Sequence, residues 1–268
     1  MVHDPDVSKS SREKSRIEFG MIFFRRAPLF LALFVAALRV VGSSELQAET
    51  LPDRRPALIG SGPGSLVNLI DVQVLFQKGQ RDAWVMFECG VAGDGYARGS
   101  DFFTASPNAD LLKNEIRKRL RQTRFIPAVY NHRRTSAWFN GTAVFVVANG
   151  RPHLQLYAHQ DLDEIKRGAD FVAPQFIDVP DNYYLNLPHF PSVATHDEAA
   201  GVVKLRHSVD ANGKTTDVQV ISEPPGYQLG DYLKKLLPRL DFSPGYRNGK
   251  PTATTYTLTW WFGRVVGR

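Results

Sequence analysis

The chain has 268 residues, of which 43% are hydrophobic and 22% are charged, so it is long and apolar enough for one large or two small globular domains. Its formal net charge of +6 suits an anionic surface or an acidic partner, but this moderate excess does not by itself indicate nucleic-acid binding. The single cysteine, Cys89, excludes an intrachain disulfide, so the fold depends on its core.

Residues 21–48 are typical of an export signal. Arg25 and Arg26 precede twelve apolar residues at positions 27–38, and small and polar residues lead to a plausible cleavage point after Ala48. A membrane-spanning helix needs roughly 20 apolar residues. The pattern therefore favours a cleaved signal peptide and a periplasmic protein.

A retained inner-membrane anchor is the alternative, in which the apolar run extends past Arg39. Residues 1–20 are then a short cytoplasmic tail, unless Met21 is the true start. We therefore predict that residues 1–48 form an N-terminal tail and signal peptide, with inner-membrane attachment as the alternative.

Residues 49–65 are rich in Pro, Arg, Gly and Ser, which predicts a linker. A phosphate-binding loop would need a strand before the glycines and a helix after them. Instead, Val72, Val74 and Phe76 recur at every second position and predict a strand after the linker.

The pattern of apolar residues in 66–160 predicts a first α+β unit. Alternating apolar residues indicate a strand with one inward face, formed by Val85, Phe87, Cys89 and Val91. A helix follows, and Asn108 is its predicted N-cap. Its apolar stripe consists of Leu111, Leu112, Ile116 and Leu120. Residues 138–147 and 153–158 predict two more strands, joined by an Asn-Gly turn.

Residues 161–188 predict an ordered connector. Residues 161–167 indicate a short helix with acidic side chains at its start, where the helix dipole favours them. The remainder is aromatic and contains prolines, including the pair Tyr183 and Tyr184, and is expected to pack between two units.

Residues 189–268 predict a second α+β unit with the order strand, turn, strand, helix, loop, strand. Val203, Leu205, His207 and Val209 alternate before a turn at Asn212 and Gly213, which is a strong hairpin signal. A helix with one leucine stripe follows, and residues 252–262 form a last alternating run. One small antiparallel sheet with one helix packed on one face is the expected fold.

This second unit resembles the TonB C-terminal domain family over about 73 residues. The matching positions are Phe190 and Pro191 (the family favours Tyr-Pro), Gly201, Asn212 and Gly213, residues 218–222, the aromatic-x-Pro-Gly of residues 242–245, residues 248–251 and the closing strand. The resemblance implies a periplasmic protein–protein interaction module. TonB itself carries inner-membrane energy to outer-membrane transporters by pairing with a short transporter peptide, but the long Pro-rich spacer of TonB is missing here.

The first unit looks like a degenerate copy of the same domain. Residues 83–95 align without a gap on residues 201–213, and residues 125–128 align on residues 242–245. Asn131 aligns on Asn248, whereas the first unit has no counterpart of Phe190 and Pro191. The expected fold is therefore two TonB-C-like units.

The resemblance also implies a peptide-binding site, since family partners meet the Tyr-Pro segment and the last strand. Carried over by position, these are Phe190, Pro191, Thr254, Tyr256, Leu258 and Trp260. The physical basis is strand addition, because the edge of a small open sheet exposes unpaired backbone donors and acceptors. Trp260 and Trp261 are adjacent, so one of them is expected to face outward unless it is covered.

Several other side chains are candidate sites. Cys89 is predicted to be a small buried residue and not a reactive thiol, because nothing nearby in sequence would lower its pKa. Basic residues crowd the predicted first helix and its exit, from Arg117 to Arg124, and Arg133 and Arg134 follow. They are either a solvated face or a surface for an anionic lipid or an acidic protein.

His189, His196 and His207 lie in one segment, but their spacings match neither two strand ligands nor two helix ligands of a metal. His207 is therefore predicted to be a core histidine with a hydrogen-bond partner, and we expect no catalytic residue, metal or cofactor. An envelope metal-assisted hydrolase using these histidines with Asp197 or Asp210 is the enzymatic alternative.

The favoured function is a non-enzymatic binding module in the Gram-negative envelope, linked to TonB-dependent transport. Its expected partners are envelope proteins, including an outer-membrane transporter peptide bound by strand addition. A purely structural protein, in which the two units pair with each other or form a dimer, is the other alternative.

Overall fold

The first half of the described chain forms an antiparallel sheet with helices on one side. A computed structural model describes residues 50–168, 170–178 and 201–262. Its elements up to residue 157 are β1 (Arg54–Arg55), β2 (Leu58–Ile59), α1 (Leu66–Leu69), α2 (Val72–Gln77), β3 (Ala83–Val91), β4 (Ala97–Ala105), α3 (Asp110–Leu120), β5 (Phe125–Ile126), β6 (Ala128–Tyr130), β7 (Arg133–Ala148) and β8 (Arg151–Tyr157).

Strand β3 is central, since it pairs with β4 on one side and β7 on the other, and β8 pairs with the far edge of β7. The inward alternation predicted for β3 is confirmed, because Val85, Phe87, Cys89 and Val91 are all buried. They pack with α3 in one apolar core. The predicted linker contains β1 and β2, which pair with β6 and β5.

The strand predicted at Val72, Val74 and Phe76 is wrong, because these residues lie in helix α2. The Asp71 carboxylate accepts hydrogen bonds from the backbone N–H groups of Gln73 and Val74, both at 3.0 Å. An N-cap of this kind satisfies donors that a helix start leaves unpaired. The period-two spacing of these apolar residues does not mark a buried face, since Val74 is 40% exposed.

Helix α3 begins differently from the prediction. Asn108 is not its N-cap; it adopts a positive φ of 61°, and the helix starts at Asp110. The buried Gln80 side chain instead accepts a hydrogen bond from Leu112 N–H at 2.9 Å. The predicted stripe is buried at Leu112, Ile116 and Leu120 but not at Leu111, which is 39% exposed.

The second half contains another small antiparallel sheet. Its elements are α4 (Leu162–Arg167), β9 (Phe171–Val172), β10 (Gln175–Asp178), β11 (Gly201–Val209), β12 (Thr215–Ser222), α5 (Leu229–Leu236), a 3-10 turn (Leu237–Arg239), β13 (Phe242–Ser243), β14 (Gly245–Arg247), β15 (Lys250–Thr252) and β16 (Thr254–Phe262). The strand order is β12-β11-β16. The predicted strand, turn, strand and helix are confirmed over residues 201–236, whereas the loop predicted before the last strand contains the 3-10 turn and the short strands β13, β14 and β15.

The leucine stripe of α5 packs on this sheet. Leu229, Leu233 and Leu237 are fully buried, and they share a core with Leu205 on β11. Phe171 and Ala173, from the predicted connector, are buried in the same core. The fold is therefore α+β with antiparallel sheets, as predicted at that level.

Residues 170–178 join the two halves. Strand β10 pairs with β7 through Ile177 and with β13 through Gln175, and β9 pairs with β14. The Gln175 amide also accepts from Ala57 N–H and donates to Ala57 C=O, each at 2.8 Å. This short stretch thus connects the first strands of the chain to its last third.

Several predicted features lie outside the described residues. These are the signal or anchor at residues 1–48, the aromatic pair Tyr183 and Tyr184, the motif residues Phe190 and Pro191, and His189, His196 and Asp197. Within the described ranges, no helix is both long and apolar enough to cross a bilayer.

Candidate interaction site at the edge of the C-terminal sheet

Strand β16 lies at one side of its sheet. It pairs with β11 without interruption, from Gly201 opposite Phe262 to Val209 opposite Thr254. No strand in the described parts of the chain pairs with its other side, which we call the outer edge of β16. An edge of this kind offers backbone donors and acceptors to an added strand.

The four predicted peptide-binding side chains on β16 face the core. Thr254, Tyr256 and Leu258 are each at most 6% exposed. Trp260 is partly buried and packs against the same core as α5. Because these side chains pack under β16, an added strand would contact the β16 backbone and not these side chains.

Backbone groups of alternate residues point to the outer edge. Thr257 N–H identifies this set, because it donates to the Asp161 Oδ2 atom at 2.9 Å and not to β11. In a regular antiparallel pair, residues two apart have the same orientation. Thr255, Thr259 and Trp261 therefore also direct their backbone groups away from β11, and of these Thr259 is only 3% exposed.

Asp161 lies where the first half of the chain meets this edge. Its other carboxylate oxygen accepts from the N–H groups of Asp163 and Glu164 at 3.0 and 3.2 Å, so Asp161 is the N-cap of α4. Burial alone would raise the pKa of Asp161, but the bonds from Thr257 and the helix N–H groups outweigh it and lower that pKa. Asp161 is thus held in its charged form.

Helix α4 is fixed to β14 by an ion pair. The two Glu164 oxygens accept from Arg247 of β14 at 2.8 and 3.0 Å, and Arg167 adds a contact at 2.9 Å. The Arg247 hydrogen bond is the main cause that lowers the pKa of Glu164. Arg247 also lies 4.4 Å over the Phe171 ring. A bidentate, largely buried ion pair of this kind fixes the position of α4.

His159 is buried beside this junction. It contacts the rings of Tyr157 and Phe171, and its Nδ1 atom accepts from Asp161 N–H at 3.3 Å. Burial is the main cause that lowers the pKa of His159 to about 4. The imidazole is therefore neutral at physiological pH, and it serves as packing under α4.

His207 is a core histidine with hydrogen-bond partners, as predicted. It is fully buried, and its two ring nitrogens lie 3.1 Å from the Tyr256 hydroxyl and 2.9 Å from Thr215 Oγ1. Burial lowers the pKa of His207 to about 4. Both ring nitrogens are therefore already used within the core.

The enzymatic alternative gains no support from the described residues. They contain no group of three or more His, Cys, Asp or Glu side chains placed to hold a metal. Asp210 accepts from Asn212 N–H and Lys214 N–H at 2.9 and 2.8 Å, so its carboxylate stabilises its own turn. Cys89 is fully buried, as predicted, and burial raises the pKa of its thiol far above the range of a reactive cysteine.

The basic residues of α3 are partly engaged within the molecule. Arg117 lies 4.8 Å over the Phe102 ring, and Arg119 Nε lies 2.6 Å from Glu115. Arg124 lies 3.8 Å over the Tyr96 ring. The anionic-partner interpretation of this face stays a prediction.

Sequence reasoning missed the roles of Asp161, Glu164 and Arg247 at the edge. Acidic residues at the start of α4 were expected, but for the helix dipole alone. Thr257 is 96 positions from Asp161 and Arg247 is 83 from Glu164, so no local pattern links either pair.

Comparison with known proteins gives a match, which lies in the C-terminal part of the chain. Residues 186–263 match the family model described as the Gram-negative bacterial TonB protein C-terminal. No curated protein and no solved structure matches the chain.

Proposed function

Because residues 186–263 belong to the TonB C-terminal domain family, we propose that this protein is a non-enzymatic periplasmic interaction module of TonB-dependent transport. Its partner is an envelope protein, and the favoured one is an outer-membrane transporter that contributes a short peptide. The outer edge of β16 carries this proposal, because no strand among the described residues pairs with that side of the last strand of a TonB-type domain.

The proposed mode of binding is strand addition through the backbone. An extended peptide would bond to the outward N–H and C=O groups of Thr255, Thr257, Thr259 and Trp261. Thr254, Tyr256, Leu258 and Trp260 would then act by holding β16 in place. Phe190 and Pro191 remain proposed contacts by family resemblance.

An internal duplication is part of the proposal. Two features support it: the strand orders β4-β3-β7 and β12-β11-β16 place a helix after the second strand of each set. Gly95 and Gly213 also both adopt positive φ, and a Cβ at either one would meet the carbonyl oxygen of Phe125 or Phe242. In the first set, β8 fills the edge of β7 that corresponds to the outer edge of β16.

A pair of substitutions at one position tests strand addition. Thr257→Pro removes the outward N–H without removing a bond to β11, whereas Thr257→Ala keeps that N–H and loses the side-chain hydroxyl and methyl group. We expect T257P to abolish binding of synthetic peptides from the periplasmic segments of outer-membrane transporters, and T257A to retain it. Wild-type affinity in T257P would contradict the proposal.

Sedimentation of the same variants examines the structural alternative. A wild-type dimer that T257P separates would favour pairing of two copies through this edge, whereas a monomer is expected for a peptide-binding module.

Location is proposed to be the periplasm, after removal of residues 1–48. Intact mass with membrane fractionation in a Gram-negative host tests this. A soluble species that starts after Ala48 is expected. A full-length species in the inner membrane would favour the anchored alternative and a role in energy transfer.

A further inference from the structure

One side chain already occupies the position that an added strand would use on β16. Asp161 Oδ2 accepts from Thr257 N–H at 2.9 Å, the usual length of a hydrogen bond between a backbone N–H and a strand carbonyl. The Thr257 N–H is thus satisfied by a carboxylate in place of a neighbouring strand. The other Asp161 oxygen caps α4, so one carboxylate joins that helix to the outer edge of β16.

We propose that Asp161 is a built-in competitor for strand binding, and that an extended segment of a partner protein must replace its carboxylate at Thr257 N–H. This inference rests on the proposed function, because it concerns the regulation of the same edge. The partner segment supplies a backbone carbonyl oxygen where the Asp161 carboxylate oxygen lies.

The position of Thr257 makes the competition unavoidable for a strand of ordinary length. Outward groups recur at every second residue, so Thr257 lies between Thr255 and Thr259. A segment that bonds to both of these neighbours passes directly over Thr257. Only a segment confined to the last residues of β16 would avoid Asp161.

The competitor is held in place by more than its own hydrogen bond. Glu164 is 4% exposed and bonds to Arg247 through both oxygens. Asp161 N–H is bonded to the buried His159. These contacts hold the Asp161 backbone and the start of α4 beside β16, so an added strand has to displace the start of α4 together with the Asp161 carboxylate.

The edge of β7 shows what a completed strand pairing looks like in this molecule. Strand β8 pairs with β7 over seven residue pairs, from Thr142 opposite Tyr157 to Ala148 opposite Arg151. Only Ala158, His159 and Gln160 separate β8 from Asp161. The same stretch of chain thus pairs with seven residues of β7 and contacts β16 through the Asp161 carboxylate.

Amide hydrogen exchange in the full chain tests the contact without any ligand. Asp161→Ser keeps an N-cap side chain for α4 but is too short to reach Thr257. We expect D161S to accelerate exchange of Thr257 N–H by about tenfold or more, the effect of losing a hydrogen bond to a charged group. The amides of Tyr256 and Leu258, which face β11, serve as internal controls. An unchanged Thr257 rate would overturn the inference.

Peptide binding tests the competition itself. The probe is a synthetic peptide with the sequence of β8, chosen because that segment already pairs with a strand edge in this fold. D161S is expected to bind it about tenfold more tightly than wild type, and adding T257P should remove the gain. D163A, which removes an exposed carboxylate from the same helix, is the matched control and should match wild type.

The outcomes separate this inference from the proposed function. Equal binding by wild type and D161S would overturn the competition alone, provided that T257P weakens both. If no variant binds the β8 peptide while wild type and D161S bind transporter peptides equally, the competition is again overturned. Failure of every variant with both kinds of peptide would overturn strand addition and the competition together.

Discussion

His207 and His159 are buried and Glu88 is half-buried, and their ionisation affects stability in opposite directions. Burial lowers the pKa values of His207 and His159 to about 4. Burial, with a smaller effect of the Asp101 charge, raises the pKa of Glu88 to about 7. Both histidines favour folding at higher pH and Glu88 favours it at lower pH, so Glu88 offsets only about half of the pH dependence that the two histidines cause.

The effect of His207 on stability has a definite direction. Its folded pKa of about 4 lies below its ordinary value of 6.5, so its full contribution is present above pH 6.5 and is lost as pH falls toward 4. In His207→Gln, the loss of unfolding free energy between pH 7.5 and 4.5 should shrink by about 2–3 kcal/mol. Urea unfolding at both pH values measures this, and His132→Gln, at an exposed histidine, is the control.

Glu88 should give the opposite result. Its folded pKa of about 7 exceeds its ordinary value of 4.5, so its stabilising contribution is full below pH 4.5 and is lost as pH rises through 7. Glu88→Gln should gain about 2–3 kcal/mol over wild type between pH 5 and pH 8. Asp101→Asn, which removes only the neighbouring charge, should give a smaller gain. An identical pH dependence in E88Q and wild type would contradict the assignment.

At the scale of elements, helix starts depend on side chains that are sometimes far away. Asp71 and Asp161 cap α2 and α4 from the adjacent position. Gln80 caps α3 from 32 positions away, while its Nε2 atom donates to Arg81 C=O at 2.8 Å and Asn108 C=O at 3.3 Å. The start of α3 is therefore a tertiary contact.

Replacing Gln80 should destabilise the protein. Gln80→Ala leaves Leu112 N–H unpaired in a buried place, which costs about 1–3 kcal/mol. Chemical unfolding compares it with Gln77→Ala, which removes an exposed glutamine from α2. Asn108→Gly is a second comparison and should cost little, because glycine readily adopts the positive φ of that position. A loss in N108G as large as that in Q80A would support Asn108 as the true cap.

A structural feature could be predicted from the sequence when the residues that cause it are close neighbours along the chain. Alternation of period two located β3, β11 and β16 and placed Cys89 and His207 in the core, because that period is a property of the strand itself. The same rule failed at Val72 to Phe76, where the Asp71 cap selects a helix. The Asp161–Thr257 contact joins residues 96 positions apart, and no local rule reports such a pair.

At the scale of the molecule, the C-terminal sheet depends on residues outside the family match. Phe171 and Ala173 are buried in its core, and the Tyr256 hydroxyl donates to Pro174 C=O at 3.4 Å. A cut at the boundary of residues 186–263 therefore removes part of the apolar core and one hydrogen bond.

Truncation should show this dependence. A fragment of residues 161–268 keeps α4, β9 and β10, whereas a fragment of residues 186–268 loses them. We expect the shorter fragment to melt about 10 °C or more below the longer one, because burial of Phe171 alone stabilises by about 2 kcal/mol. Thermal unfolding followed by circular dichroism measures this. Equal melting temperatures would mean that the family domain is independent of the connector.

The contacts of the first strands also set an order in time. Arg54 Nη1 donates to Phe242 C=O, Arg54 C=O accepts from the Tyr246 hydroxyl, and Ala57 is bonded to Gln175. These partners lie 188, 192 and 118 positions further along the chain. Strands β1 and β2 can pair with β6 and β5 once residue 130 has been made. The contacts of Arg54 with Phe242 and Tyr246, in contrast, form only when translation is almost complete.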